Sequence, residues 1–216
     1  MYVTNECKKI GLIAGIITAT DIKISESDQN LKNEIKILLE EKQKEENIDR
    51  ELLTSVRKML KNGGYKPSGR NKPASEYLLR TVSEGNFPFI NNVVDINNYF
   101  SILWGLPIST LDLKQTGDNV VIKIGSQDEK YVFNKSGQEL DLKGLITVYD
   151  SNGKPIGTPV KDSMFGKTTE NTSDIIVVIY ATSDKLDELK VEKMCMKYAE
   201  MIRKYTTASE TAIFTV

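Results

Sequence analysis

The sequence predicts an α+β fold, a single domain over residues 1–216 in which helices lie on a mostly antiparallel β core. Three observations predict it. Apolar residues recur at helical spacing in separate stretches. From Asn119 onward the apolar period falls to near two. One late run, Asp174 to Ala181, is continuously apolar and of strand length, the pattern of a strand covered on both faces.

The elements follow in order. Residues 9–24 alternate small and β-branched apolar residues and predict one strand or two. After Ser27 or Asp28 as a cap, Leu31, Ile35, Leu38 and Leu39 recur at helical spacing. A second helix runs from about Arg50 to Leu60, with Leu52, Leu53, Val56, Met59 and Leu60 on one face and Gly63-Gly64 as its stop. These two form a flanking helical region over 27–62. Tyr65 to Lys72 holds Pro67 and Gly69 and is expected to be a loop. Pro73 then takes a first-turn position, and Tyr77, Leu78 and Val82 supply the buried face of a helix that Gly85 ends. Val93-Val94 predicts a short buried strand. Asp95 is expected to cap a short helix over Ile96 to Trp104, closed by Gly105 and Pro107. Further strands fall at Val120–Ile124, Lys130–Phe133, Leu145–Tyr149 and Pro155–Val160. Asn152-Gly153 signals a hairpin. The last helix is expected near Ser183 and to run to 205, with Val191, Met194, Cys195, Tyr198, Met201, Ile202 and Tyr205 on one stripe. Thr211 to Val216 is a possible closing strand.

Composition bounds the chemistry. The 216 residues carry 29 basic and 30 acidic side chains and no histidine, so bulk charge drives the chain onto neither nucleic acid nor anionic lipid. The lack of imidazole excludes a Ser-His-Asp triad, a Cys-His pair and any histidine metal ligand. Cys7 and Cys195 make neither a zinc site nor a disulfide framework. The first apolar run, Ile10 to Ala19, is broken by Gly11, Gly15 and Thr18 and does not read as a signal peptide. No stretch approaches the roughly 18 apolar residues of a membrane span. A cytoplasmic protein with no cofactor and no metal is expected.

Four clusters could carry chemistry. Between Thr54 and Arg80 stand seven basic residues, among them Lys66, Arg70 and Lys72, opposed only by Glu76. They are either a solvated helix face or a local phosphate-binding patch. On the Asp95–Trp104 helix, Asn97, Asn98 and Ser101 lie opposite the apolar stripe of Ile96, Tyr99, Phe100, Leu103 and Trp104. With Asp95 as cap, Asn97 and Asn98 would fall in the first turn, where free amides favour a carboxylate or a carbonyl oxygen gaining charge. Alternatively, the asparagines simply assist capping. Ser109 to Asp112 could hold a water or a ribose hydroxyl, or be a turn leading into a strand. Lys161-Asp162-Ser163 and the polar run to Thr172 read alone as a surface loop. Cys195, on an apolar stripe, reads as a core thiol.

Taken together in order, the motifs resemble a known module. Val93-Val94-Asp95-Ile96-Asn97-Asn98-Tyr99, then Gly105-Leu106-Pro107 and Leu111-Asp112, resemble the editing module of the bacterial phenylalanyl-tRNA synthetase beta subunit, formed by that subunit's third and fourth domains. Freestanding relatives carry tracts similar to Tyr65-Lys66-Pro67 and Pro73 to Arg80, an Arg/Lys-Asp-Ser element similar to Lys161-Asp162-Ser163, and a Thr-x-Glu-x-Thr tail similar to Thr168–Thr172. The resemblance is best over 64–181. It implies a β-sandwich-like core flanked by helices, and a pocket that hydrolyses wrongly attached tyrosine from tRNA by positioning water, without a covalent nucleophile. The family's Thr-Asn pair falls on Asn97 and Asn98. Its histidine falls on Ser109, which leaves the choice of amino acid open. Its Gly-Gly-Glu turn has no clear match, and Asp162 is the nearest acidic residue by order.

The resemblance thus implies a freestanding hydrolase of mischarged aminoacyl-tRNA or a related aminoacyl ester. Asn98 and the helix amides would hold the oxyanion or the amino acid. Asn97, Ser109 and Asp162 would orient water and ribose, and Lys66, Arg70 and Lys72 would meet phosphates. The alternatives are a non-catalytic module binding tRNA or a free amino-acid-like metabolite, and a structural protein that has lost the site. The synthetase's aminoacylating domain has no counterpart in this sequence. Oligomeric state is left open.

Overall fold

A computed structural model describes residues 1–44, 49–85 and 87–216. Three layers are stacked: a four-stranded sheet, a second four-stranded sheet, and helices. The strands are β1 (Tyr2–Asn5), β2 (Leu12–Thr20), β3 (Ile108–Asp112), β4 (Asn119–Ile124), β5 (Lys130–Val132), β6 (Glu139–Asp141), β7 (Ile146–Tyr149), β8 (Pro155–Gly157), β9 (Ile175–Thr182) and β10 (Glu210–Thr215). The outer sheet runs β1-β4-β7-β8, the inner sheet β10-β2-β9-β3, and β5-β6 form a small hairpin of their own. Pairing is antiparallel throughout except for β1 with β4.

Period-two alternation sorts the core into two. One face of the inner sheet (Leu12, Ala14, Ile16, Ile176, Val178, Tyr180) meets Val120, Ile122, Ile146, Val148 and Ile156 of the outer sheet. The other face (Ile17, Ala19, Ile175, Val177, Ile179) meets the helices. All eight residues of β9 are buried, as its continuously apolar sequence requires. A fully buried Ile or Val contributes about 1.5–3 kcal/mol, so this strand anchors both layers.

The helices are α1 (Gln29–Lys44), α2 (Arg50–Asn62), α3 (Ala74–Ser83), α4 (Asn92–Trp104), the single turn α5 (Leu113–Thr116) and α6 (Glu188–Thr206). In α6 the stripe residues Val191, Cys195, Tyr198, Met201 and Ile202 are buried against the inner sheet. The close approach is made at Gly15, where a Cβ would lie 2.7 Å from Cys195 Sγ and 2.8 Å from Val191 Cγ1. Burial pushes both cysteine thiols up to about 12, so they are inert core groups.

Several sequence expectations are corrected. Val93 and Val94 form no strand; they stand in the first turn of α4. The cap is Asn91, whose side chain accepts from the Val94 amide at 2.9 Å. Asp95 is instead buried, accepting from Ser27 Oγ at 2.6 Å and from the Ile90 amide at 2.9 Å. The last helix starts at Glu188, capped by Asp187, after a turn from Ser183. Pro73 occupies the cap position of α3 rather than its first turn. Strands β1 and β6 were not anticipated. Of the 27–62 helical region, residues 45–48 lie outside the described residues.

Candidate functional site

β3 is one edge of the inner sheet, bridged at Leu111 to Lys167, and a cavity of about 470 Å³ lies beside it. Its walls come from α3 and the turn before it (Arg70, Ala74, Tyr77, Leu78), α4 (Asn97, Asn98, Ser101), Ile108 of β3, and the loop after β8 (Val160, Lys161, Asp162). A larger cavity, about 810 Å³, opens among the helices around Leu52, Leu79, Ile102 and Trp104, but its rim reaches the borders of the undescribed residues 45–48 and 86. It holds none of the polar residues singled out by sequence.

Each polar group beside β3 has an identifiable support. Asp162 is held by the turn after β8. There Thr158 Oγ1 accepts from the Val160 and Lys161 amides at 3.3 and 3.1 Å, and its hydroxyl donates to Lys161 O at 2.8 Å. Tyr131 donates to the same carbonyl at 2.6 Å. The turn aims Asp162 inward, so that Oδ1 accepts from Ser109 Oγ at 2.6 Å and from the Thr158 amide at 3.2 Å. Tyr180, fully buried on β9, lies 2.9 Å from Ser109 Oγ. Ser109 has one hydrogen and gives it to the carboxylate, so Tyr180 is the donor to Ser109. Burial pushes the Asp162 carboxyl up to about 6, against hydrogen bonds from Ser109 and Thr158 and the charge of Lys167, which favour ionisation. Oδ2 has no partner among the described residues and is the atom left for a ligand or water.

The opposite wall is built in the same way. Thr110 donates to Asn97 Oδ1 at 2.9 Å, and its oxygen lies 3.1 Å from the hydroxyl of Tyr198, buried on α6. The same single-hydrogen argument makes Tyr198 the donor. With its oxygen engaged, Asn97 offers its Nδ2 hydrogens. Asn98 is 8% exposed, and its carboxamide has no partner among the described residues. The Asn98 carboxamide therefore opens onto the cavity, where it can bond to water or to a ligand. Ser101 is not available in the same way, since it donates to Leu106 O at 2.7 Å.

The structure therefore brings Asn97, Asn98 and Asp162 to one cavity, with Ser109 behind Asp162. It does not bring the start of α4 there. Asn97 and Asn98 are the sixth and seventh residues of the helix, past the free amides, and the start is occupied by Asn91, Asn92 and Asp95. The donors that face the cavity are side-chain amides and cations instead of helix-end amides. Asp112 is also absent from the cavity; it caps α5 and accepts from Thr172 Oγ1 at 2.6 Å.

The basic tract divides. Arg57 pairs with Glu76, Lys58 with Asp184 and Arg80 with Glu84. Of Lys66, Arg70 and Lys72, only Arg70 lines the cavity. Lys161, named in the sequence only as part of the Lys161-Asp162-Ser163 element, lines it too, as does Tyr77, which is exposed rather than on the buried face of its helix; the supports Thr110, Tyr180 and Tyr198 carry no role in the sequence reading. A tyrosine inside an otherwise apolar strand was the readable signal for Tyr180, because a buried phenol needs a partner.

Chemically, the cavity sets one carboxylate oxygen across from amide donors, with cations at its rim. Such an arrangement is chemically suited to hold a water beside a polarised carbonyl. Its volume lies in the range of small-ligand sites. The fold is thus a layered α+β module with a polar cleft beside the β3 edge of its inner sheet. The chain belongs to the B3/4 domain family, which matches residues 66–206. Among curated proteins it is similar to phenylalanine–tRNA ligase beta subunits. That of Staphylococcus saprophyticus is 32% identical over 108 residues, 49% of this chain and 13% of that protein. That of Lactobacillus acidophilus is 27% identical over 131 residues, 59% of this chain and 16% of that protein. The aligned stretches thus span only a small part of these relatives. Among solved structures, an N-terminal fragment of the phenylalanyl-tRNA synthetase beta-subunit from Pyrococcus horikoshii aligns over 99% of this chain and 51% of its own, at 12% identity and a TM-score of 0.45. Among the described residues, no helix is long and apolar enough to cross a membrane.

Proposed function

We propose that the chain is an editing-type domain that binds the aminoacylated end of a tRNA and hydrolyses a mischarged aminoacyl ester. The observation that carries this reading is the gathering of Asn97, Asn98 and Asp162 at one cavity, each held or left open so as to face it. Membership of the B3/4 domain family and similarity to phenylalanine–tRNA ligase beta subunits support it. Such a substrate places the work in the cytoplasm, and no cofactor or metal is needed.

The geometry supports the following roles. Ionised Asp162, through Oδ2, accepts a proton from water, whose oxygen bonds to the ester carbonyl carbon. Asn97 Nδ2 and Asn98 hold the carbonyl oxygen as it gains charge. When the ester C–O bond breaks, the ribose oxygen leaves with the proton returned from Asp162. Positioning and electrostatics suffice for an activated ester.

The test is a deacylation screen over misacylated tRNAs. Asn98→Ala is expected to lower the rate on the best substrate by about tenfold to a thousandfold, the effect of losing one oxyanion donor. An unchanged rate would remove Asn98 from the mechanism. Deacylation of nothing in the panel, with tRNA binding retained, would make the chain a binding module, a reading that the lack of histidine favours.

A further inference from the structure

We propose that Arg70 and Lys161 at the cavity rim, with Lys167 joined to Lys161 through Phe133, form an anion subsite, and that it takes the phosphodiester joining the terminal nucleoside of an RNA to its strand. The proposal rests on the aminoacyl-ester reading above and assigns the part of the substrate that reading leaves unplaced.

Two of the cations are fixed on one residue. Lys161 Nζ lies 4.0 Å from the centre of the Phe133 ring, and Lys167 Nζ donates to Phe133 O at 2.6 Å. Two like charges are thus tied to opposite features of a single side chain and its own carbonyl. Arg70 reaches the same place from the turn before α3 and, with Lys161, lines the cavity. None of the three has an ion pair among the described residues. The single carboxylate of the cavity, Asp162, already spends Oδ1 on Ser109 and Thr158. Burial, Arg70 and Lys167 all push the Lys161 ammonium toward losing its proton. Three cations gathered around one carboxylate leave an excess of positive charge, a repulsive cost that an anion removes.

The chemistry of the anion follows from the ester. An esterified amino acid has no free carboxylate. The nearest negative charge on such a substrate is the phosphodiester on the 5′ side of the terminal ribose. Lys66 and Lys72, which the sequence put forward for phosphates, neither line the cavity nor are fastened to Phe133 as Lys161 and Lys167 are.

Titration calorimetry of the full chain tests this with four probes: 3′-glycylamido-3′-deoxyadenosine, the same compound as its 5′-methyl phosphodiester, adenosine 5′-methyl phosphodiester, and free glycine. The phosphodiester is expected to tighten binding of the glycylamide about tenfold at low salt, with the gain shrinking as salt rises. Lys161→Gln and Lys167→Gln should each abolish most of that gain, while Lys66→Gln and Lys72→Gln retain it. Equal affinity of the two glycylamides for the wild-type chain overturns the subsite, as does a gain that survives Lys161→Gln, or the failure of every nucleoside to bind. Glycine bound through Lys161, with no gain from phosphate, assigns the cations to a carboxylate and also overturns it. If the acyl group adds nothing while the phosphodiester does, the subsite stands and the hydrolase reading fails.

Discussion

Replacing Asp162 by asparagine should make the protein more stable and less active at once. Folded, the carboxyl titrates at about 6, against its ordinary value of 3.8. Below pH 4 it is protonated in both the folded and unfolded chain and contributes nothing. Between about pH 4 and 6 the unfolded chain gives up this proton and the folded chain keeps it. Stability therefore falls as pH rises through that window, and the loss is complete above the folded value. Each pH unit is worth about 1.4 kcal/mol, so the burden at neutral pH is about 3 kcal/mol. Asparagine keeps an oxygen for the Ser109 hydroxyl and the Thr158 amide and turns its NH2 toward the cavity, where Oδ2 now stands. Urea denaturation of both proteins from pH 4 to 8 should give equal stability at pH 4 and an advantage to Asp162→Asn that grows to about 2–3 kcal/mol by pH 7, with the deacylation rate lost. A stability difference that ignores pH, or a variant weaker than the parent at pH 8, would refute the assignment of a carboxyl whose folded surroundings favour its neutral form.

Further outcomes follow from the same contacts. Deacylation should rise with pH to a plateau as Asp162 ionises, and Ser109→Ala, which removes a hydrogen bond favouring the charged form, should move that rise to higher pH; a rate profile that stays in place removes Ser109 from the pair. Gly15→Ala forces a methyl into Cys195 Sγ and Val191 Cγ1, and should cost about 1–3 kcal/mol, seen as a lower urea midpoint at unchanged slope. Ser75→Ala removes a fully buried hydroxyl that has no partner, and should raise stability by about 1 kcal/mol; a lower midpoint would mean that the hydroxyl is bound after all.

Local pattern made much of the fold legible. The stripes of α1, α2 and α6, the hairpin at Asn152-Gly153 and the doubly covered β9 are all periodicities visible within one segment. What stayed hidden was set by distant partners. Strand β1 exists because it lies parallel to β4, Tyr2 beside Asn119, a register no local pattern contains. Strand β6 is three residues long and is specified by β5. The start of α4 was misplaced because two valines have strand propensity and Asp95 has cap propensity, while Asp95 is in fact committed to Ser27, far back in the chain. That single error moved Asn97 and Asn98 from the amide-rich end to the second turn. Asn97 and Asn98 were nonetheless legible as polar residues on a largely apolar helix, whereas Asp162, in a loop, was reached only through the order of motifs in the family resemblance. The tyrosines behind them were not, since a phenol in an apolar run shows its use only when a hydroxyl from another strand reaches it.

Ser109 and Thr110 are neighbours on β3, and a strand turns successive side chains to opposite sides. One therefore wires the sandwich interior to Asp162 while the next wires the helical layer to Asn97. A slip of one position between β3 and β9 would exchange the two and misconnect both walls together. The five paired positions of that ladder thus act as a mechanical key, and the two halves of the cleft are either both in phase or both lost.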